Sequence, residues 1–222
     1  MMFPKPTGSP QPLTAIDLFT GTQSVADAVR RRGWDVLTLD NDPACGADIT
    51  GDIGVVRLSD VPRAFWKPDL IWASPPCTTF SVASMGKHWP EGMPGGRAQE
   101  GIRVLGATLT LINQLRPRHF VIENPRGMMR KLPIMASMTM ATVTYCQYGD
   151  DRMKPTDLWH DLDAWKPRPM CRNGDPCHVR APRGAKTGTQ GLSTRDRGRV
   201  PAELIAEIAG LLESQPRLMG AA

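Results

Sequence analysis

The sequence predicts an α/β protein, a mostly parallel twisted sheet with helices on both faces. Three observations predict it. Short, nearly continuous apolar runs recur along the chain, as strands covered on both faces require. Stretches with helical spacing alternate with these runs, the pattern of parallel crossover units. Acidic or thiol residues stand at the ends of several runs, where open α/β sheets bind their ligands. At 222 residues the chain is long enough for one good core and a small appendage, not for two full domains.

Each element has its own signal. "LTAIDLF" (13–19) is a short apolar run rich in strand formers. In "GTQSVADAVRRRG", Val25, Ala28 and Val29 share one helical face, and Gly33 is placed to stop the helix. "WDVLTLD" (34–40) and "PDLIWA" (68–73) read as the next two strands. A Gly- and Pro-rich stretch from Cys77 to about Gly96 reads as a loop. "IRVLGATLTLINQL" (102–115) comes next as a helix, which Pro117 ends. "HFVIEN" (119–124) and "ATVTYCQYG" (141–149) read as strands, and "PAELIAEIAGLLE" (201–213) as a helix with Pro201 in its first turn. The boundaries expected from this reading are a disordered leader 1–12, a main domain 13–150, a small irregular basic lobe 151–199, and a C-terminal helix within 200–222 that returns to the main domain.

Composition narrows the setting. No apolar run approaches the roughly 20 residues of a membrane helix, and the N-terminus lacks the apolar centre of a secretory signal. Five cysteines form no even framework, so free thiols in the cytoplasm are expected. The net charge of +5 is concentrated: between Lys166 and Arg199 nine Lys or Arg face two acids, a local +7. Such a segment is a candidate phosphate contact, with a solvated surface tail as the alternative.

Several residues carry chemistry. Gly21 stands at the turn into the first helix, where bare backbone and free N–H groups admit a ligand. Asp40 ends the second strand, where a carboxylate can accept both hydroxyls of a ribose, and Asp52 in "GDI" lies beyond it. Together they suggest a nucleoside-containing cofactor. Cys77 comes after two prolines that stiffen the strand exit, either as an aimed nucleophile or as a buried thiol after a turn. Glu123 ends the next buried strand in "VIENPRG", either as a partnered functional carboxyl or as the cap of a helix just beyond it.

In order, "DLFTGT", "GDI", "SPPCTTFS", "ENPRG" and "RVPAELIAEI" resemble the motif set of the cytosine-5 DNA methyltransferases. The resemblance runs from about Asp17 to Leu212. It is closest to compact phage-type DNA cytosine methylases, which share the look of "YCQYGDDRMKPTDLW" and "RGAKTGTQGL". It implies a Rossmann-like S-adenosylmethionine-dependent methyltransferase fold acting, as a monomer, on double-stranded DNA. S-adenosyl-L-methionine would be held by Asp17, Phe19, Gly21, Thr22, Asp40, Asp52, Ile53 and Pro75. Cys77 would add to C6 of a flipped cytosine, and Glu123 would hold its N3 and N4 edge and supply a proton. Gln147, Arg152 and Lys154 are the nearest counterparts of an incomplete Gln-x-Arg-x-Arg motif, which makes Arg152 the expected catalytic cation. Substrate contacts are expected from Ser74, Pro76, Phe80, Ser81, Asn124, Lys154, Arg180, Arg183 and Lys186, and the 78–96 loop is expected to close over the base.

Two departures stand out. Gln23 occupies the place of the second glycine in the first motif. "SPPC" also resembles the Ser-Pro-Pro-aromatic motif of amino-methylating enzymes, which use no thiol; a non-catalytic nucleic-acid-binding protein on the same fold is a third reading. Finally, "CRNGDPCH" offers Cys171, Cys177 and His178, with Cys146 upstream. These suit tetrahedral zinc, although the spacing is not that of a standard finger and unmetallated thiols are the alternative.

Overall fold

The computed structural model describes residues 11–172, 174–180 and 192–216. Seven strands share one sheet: β1 (Thr14–Leu18), β2 (Asp35–Asp40), β3 (Ile49–Thr50), β4 (Leu70–Ala73), β5 (His119–Pro125), β6 (Met140–Thr144) and β7 (Pro155–His160). Their spatial order is β3-β2-β1-β4-β5-β7-β6. The five strands from β3 to β5 run parallel, while β7 lies antiparallel between β5 and β6. Among the described residues, five α-helices accompany them: α1 (Ser24–Arg30), α2 (Met85–His88), α3 (Gly96–Leu115), α4 (Thr194–Gly198) and α5 (Ala202–Ser214).

The apolar runs are continuous because alternate side chains feed two cores. Ile16 and Leu18, Ile71 and Ala73, and Ile122 pack on one face against Leu105, Leu111, Ile112 and Leu115 of α3. Ala15, Leu70, Trp72 and Val121 pack on the other face with Val25 and Val29 of α1 and Leu204, Ile205, Ile208 and Leu212 of α5. The C-terminal helix is thus part of the main core. Glu213 fixes its far end, pairing with Arg32 and accepting the Trp34 indole N–H at 2.9 Å. Among the described residues no helix is long and apolar enough to cross a membrane.

The structure differs from the sequence expectation in the last third. The run 141–149 is a strand only to Thr144; Tyr145–Tyr148 then form a 3-10 turn that ends on Gly149 at φ 81. Residues 155–160, expected in a separate lobe, form β7 in the sheet. Fully buried Thr156 and Asp157 interrupt its apolar pattern. Asp157 is held by Arg130, whose Nε donates to it at 2.8 Å, and by the Thr142 hydroxyl at 2.9 Å. A buried carboxylate needs such partners, and the Arg130 that supplies the charge lies 27 residues away. A boundary at residue 150 therefore cuts through the β6–β7 hairpin.

Candidate active site

The β1–α1 turn is tightly wound. Phe19, Gly21 and Gln23 take φ values of 64, 47 and 58, three left-handed residues in five. Such backbone in non-glycine residues costs about 1–3 kcal/mol each and persists where the surroundings enforce it. Here the Phe19 and Thr20 N–H groups donate to the Leu39 carbonyl at 2.8 and 3.2 Å, and the Gly21 N–H donates to Asp40 Oδ2 at 2.9 Å. Gln23 is anchored by its side chain, donating to the Cys45 carbonyl at 2.8 Å and accepting from Arg30 at 2.9 Å. The residue standing in for the motif's second glycine therefore adopts glycine-like backbone and turns its amide toward Cys45.

Beneath this turn Asp17 is 2% exposed, and Oδ2 accepts the Thr20 hydroxyl at 2.7 Å and the Ala26 N–H at 3.2 Å. Burial pushes its carboxyl up to about 7, against the pull of those two hydrogen bonds and of the Arg30 charge.

The thiol is set by two neighbouring strands. β4 ends at Ala73, and the Ser74 N–H donates to the Leu18 carbonyl at 3.1 Å. The Pro75 carbonyl then accepts from the Asn124 amide at 2.8 Å. Cys77 opens a 3-10 turn, Cys77–Thr79, its carbonyl taking the Phe80 and Ser81 N–H groups at 3.1 and 3.0 Å. The half-buried thiol is pushed up by burial and then by the Glu123 charge, while Lys154 and Arg197 pull it down. It rests as a neutral thiol with cations at hand.

Glu123, at the end of β5, is 4% exposed. Its Oε1 accepts the Tyr145 hydroxyl at 2.7 Å and lies 3.6 Å from Lys154 Nζ. That ammonium sits 4.4 Å from the centre of the Tyr145 ring, a cation–π contact. Lys154 itself adopts φ 25, a strained backbone for a residue with a side chain. Burial and the Glu123 charge hold the Tyr145 hydroxyl well above its usual range, so it stays a donor.

These groups meet in one cavity of about 230 Å³. It brings together Asp17, Phe19, Gly21 and Thr22 from the first turn, Ser74, Pro75, Pro76 and Cys77 from the second, and Glu123 and Lys154. Asp40 adjoins it through Gly21. A larger groove of about 630 Å³, between the chain at Ile53–Leu58 and α3, contains neither Cys77 nor Glu123.

Other expected residues take different places. Ile53 is a core residue, and exposed Asp52 pairs with Arg103 at 2.9 Å and accepts the Gly54 N–H at 2.7 Å. Phe80 and Asn124 are fully buried and lie behind the thiol loop: Phe80 packs near Trp89, and its carbonyl accepts the Met128 N–H at 2.7 Å. Ser81 bridges to Gly127, and its hydroxyl pairs with that of Ser84 at 3.1 Å. Arg152 does not line the cavity. It is buried, paired with Asp150, and donates to the carbonyls of Asp196, Arg197 and Arg199 at 3.1–3.3 Å. A guanidinium with that many bonded donors has none left to aim at a substrate. Arg180 is exposed, and Arg183 and Lys186 lie outside the described residues. Cys146, Cys171, Cys177 and His178 do come together, their ligand atoms all within 4.8 Å of one another.

The site also contains residues that sequence reasoning passed over. Arg195, Gly198 and Val200 line the cavity from the basic segment, brought there by the Arg152 contacts and by Lys154, which donates to the Arg197 carbonyl at 3.0 Å. Gly127 allows the thiol loop to close: a Cβ there would stand 2.0 Å from the Phe80 carbonyl oxygen. The glycine ending "ENPRG" was the signal for it.

No family model matches the chain. It is 31% identical over 221 residues to the "Probable DNA (cytosine-5)-methyltransferase" of Frog virus 3 (isolate Goorha), a match covering 88% of this chain and 98% of that protein. The chain belongs to the DNA (cytosine-5)-methyltransferase family. The solved structure of a candidate DNA modification methyltransferase encoded within an E. coli prophage shares the fold with a TM-score of 0.50 at 16% identity, over 70% of this chain and 51% of that one. The Entamoeba histolytica methyltransferase EhMeth superposes with a TM-score of 0.49 at 12% identity, over 71% and 55%. The matched region is thus about half the length of these solved proteins.

This geometry carries two expectations. With its folded pKa near 7 and an unfolded value near 4, Asp17 adds stability below about pH 4 that is lost as pH rises through 7. The stability of the wild type relative to Asp17→Asn should fall across that window in urea titrations at several pH values; a flat difference would mean that Asp17 is ionised throughout. Gly127→Ala should cost about 1–3 kcal/mol through overpacking against backbone and should lower single-turnover methyl transfer by displacing the thiol loop, with a normal urea midpoint contradicting the close approach.

Proposed function

We propose that the protein transfers a methyl group from S-adenosyl-L-methionine to C5 of a flipped cytosine in double-stranded DNA, through a covalent adduct on Cys77. The observation that carries this reading is the convergence of Cys77, Glu123 and Lys154 in the cavity that also receives the β1–α1 turn. The family membership supports it. The short stretch between β7 and α5, 161–201, supports the compact, phage-type form of such an enzyme.

The residues present fit the cofactor. Gly21 offers bare backbone at the cavity wall, and each Asp40 oxygen, although already accepting one N–H, has a lone pair left for a ribose hydroxyl. Phe19, Thr22 and Pro75 would complete the holding surface, with Asp52 and Ile53 on the adenine side. When bound, S-adenosyl-L-methionine supplies an electrophilic methyl group.

The protein's own groups prepare the base. Flipping costs a few kcal/mol, roughly, and delivers the ring to Cys77. Cys77 gives up its proton to solvent and attacks C6 as thiolate, while the Glu123 carboxylate, having taken up a proton from solvent, passes it to N3, so that the ring becomes a neutral enamine nucleophilic at C5. Once C5 carries the methyl group, loss of its proton to solvent restores the double bond and expels Cys77 as thiolate, and N3 returns its proton to the Glu123 carboxylate. Tyr145 orients Glu123 by its hydrogen bond, and Lys154 favours the thiolate; we assign to Lys154 the cationic part expected of Arg152. The basic segment, from which Arg195 already reaches the cavity, would lie along the phosphates.

Cys77→Ala should abolish methyl transfer and leave S-adenosylmethionine affinity unchanged. Trapping on DNA containing 5-fluorocytosine should give a covalent adduct with the wild type only. Turnover by the mutant would favour amino-methylation instead. Lys154→Ala should raise the thiol pKa, read from the pH dependence of alkylation at Cys77, and lower kcat; an unmoved profile would remove Lys154 from that role. Replacing Arg180, Arg183 and Lys186 together should flatten the salt dependence of DNA affinity by up to about three units of log–log slope. In fluorescence-anisotropy titrations an unchanged slope would make this stretch a solvated tail.

A further inference from the structure

We propose that Cys146, Cys171, Cys177 and His178 bind one structural Zn²⁺ that fastens the basic segment to the sheet. The four ligands come from separate parts of the chain. Cys146 lies in the 3-10 turn just after β6, and the other three stand on the stretch after Trp165. Sγ of Cys146 is 3.1 Å from that of Cys171 and 3.6 Å from that of Cys177. Nδ1 of His178 is 3.7 Å from Sγ of Cys171 and 3.6 Å from Sγ of Cys177. A tetrahedral zinc with bonds of about 2.3 Å to sulfur and about 2.0–2.1 Å to nitrogen has edges of about 3.8 Å between sulfurs and about 3.6 Å between sulfur and nitrogen. Three of the four separations match those edges closely, and a small opening of the Cys146–Cys171 edge completes the shape.

The surroundings are built for the same purpose. A tight turn separates Cys171 from Cys177: the Arg172 N–H donates to Asp175 at 2.6 Å, the Asp175 N–H donates back to the Arg172 carbonyl at 3.0 Å, and Gly174 takes φ 102. The Cys171 N–H is held by the Thr144 hydroxyl at 3.0 Å. The Gln147 amide donates to Sγ of Cys177 at 3.3 Å, the outer contact that a zinc thiolate uses. Beyond the ligands, the Val179 N–H donates to the Asp151 carbonyl at 2.8 Å. All five cysteines are free, and 3.1 Å is far beyond the roughly 2.05 Å of a disulfide.

There is also a reason for a metal here. Between β7 and the cluster, few apolar side chains are buried; Leu162 and Trp165 are the large ones. Such a stretch cannot hold itself by a core, and a metal crosslink substitutes for one. Zinc binding would displace three thiol protons to solvent and leave a centre of net charge −1, set among the cations of the basic segment. Cys146 adjoins Tyr145, the donor to Glu123, so the crosslink joins the basic segment to the chain one residue from the catalytic carboxylate's partner.

The test begins with metal content. The full-length protein, expressed with zinc and purified under reducing conditions without chelator, should contain one zinc per chain by plasma mass spectrometry. Loaded with Co²⁺ instead, it should show the strong visible bands of a tetrahedral cobalt thiolate. Cys177→Ser and His178→Ala should each lower the zinc content at least tenfold, and Cys45→Ser should leave it unchanged. Wild type without zinc or the cobalt bands, equal loss in the Cys45 variant, or a Cys146–Cys171 disulfide by thiol titration in denaturant would each overturn the proposal. For the fastening role, stripping the metal with a chelator should speed tryptic cleavage within 161–199 several-fold while S-adenosylmethionine affinity stays within about twofold. Unchanged cleavage would overturn that role. None of these readings depends on methyl transfer, so they stand or fall apart from the proposed function.

Discussion

A carboxylate buried at the end of a strand cannot stand alone, and the arrangement of this molecule's working end depends on how Glu123 is satisfied. Its partners are the Tyr145 hydroxyl, just past β6, and the Lys154 ammonium, just before β7. Both sides of the β6–β7 turn are thereby fastened to the tip of β5. Lys154 also reaches the Arg197 carbonyl, and Arg152 grips the carbonyls on either side of it. One buried charge thus organises three strand ends and draws a distant basic segment over the cavity. Sheet pairing already joins β5, β7 and β6; the cost of burying Glu123 unpaired adds Tyr145 and Lys154 to that arrangement.

The thiol side obeys a complementary rule, in which backbone does the holding. Cys77 is placed by its own carbonyl, by the Pro75 carbonyl that Asn124 engages, and by the close pass of Gly127 under Phe80. Phe80 and Asn124 are fully buried, and while the Asn124 amide N–H engages the Pro75 carbonyl, its Oδ1 meets no partner within the described residues.

Much of this was legible in the sequence, and the reasons for the rest are physical. Strands with alternate residues feeding two cores give continuous apolar runs, so β1, β2, β4 and β5 could be read directly, with Asp17, Asp40, Cys77 and Glu123 at or near their ends. β7 could not, because Thr156 and Asp157 are buried polar residues, and the Asp157 partners Thr142 and Arg130 are remote in sequence. The same remoteness hid the choice between Arg152 and Lys154. Both hold carbonyls of the 196–199 stretch, and what distinguishes them is the pairing of Arg152 with Asp150 and the place of Lys154 in the cavity wall. The four metal-ligand residues were visible as types, but their distances depend on a turn at Gly174 that composition does not report.

The grip of Arg152 and Lys154 on the 196–199 stretch has an evolutionary corollary. Both cations hold main-chain carbonyls, which every amino acid provides equally. Exchange of the side chain at 199 leaves that seat intact, while the same exchange changes what the segment presents to its surroundings. A lineage of such proteins can therefore drift at this position without unseating the segment, and the two cations act as a socket into which altered sequences plug.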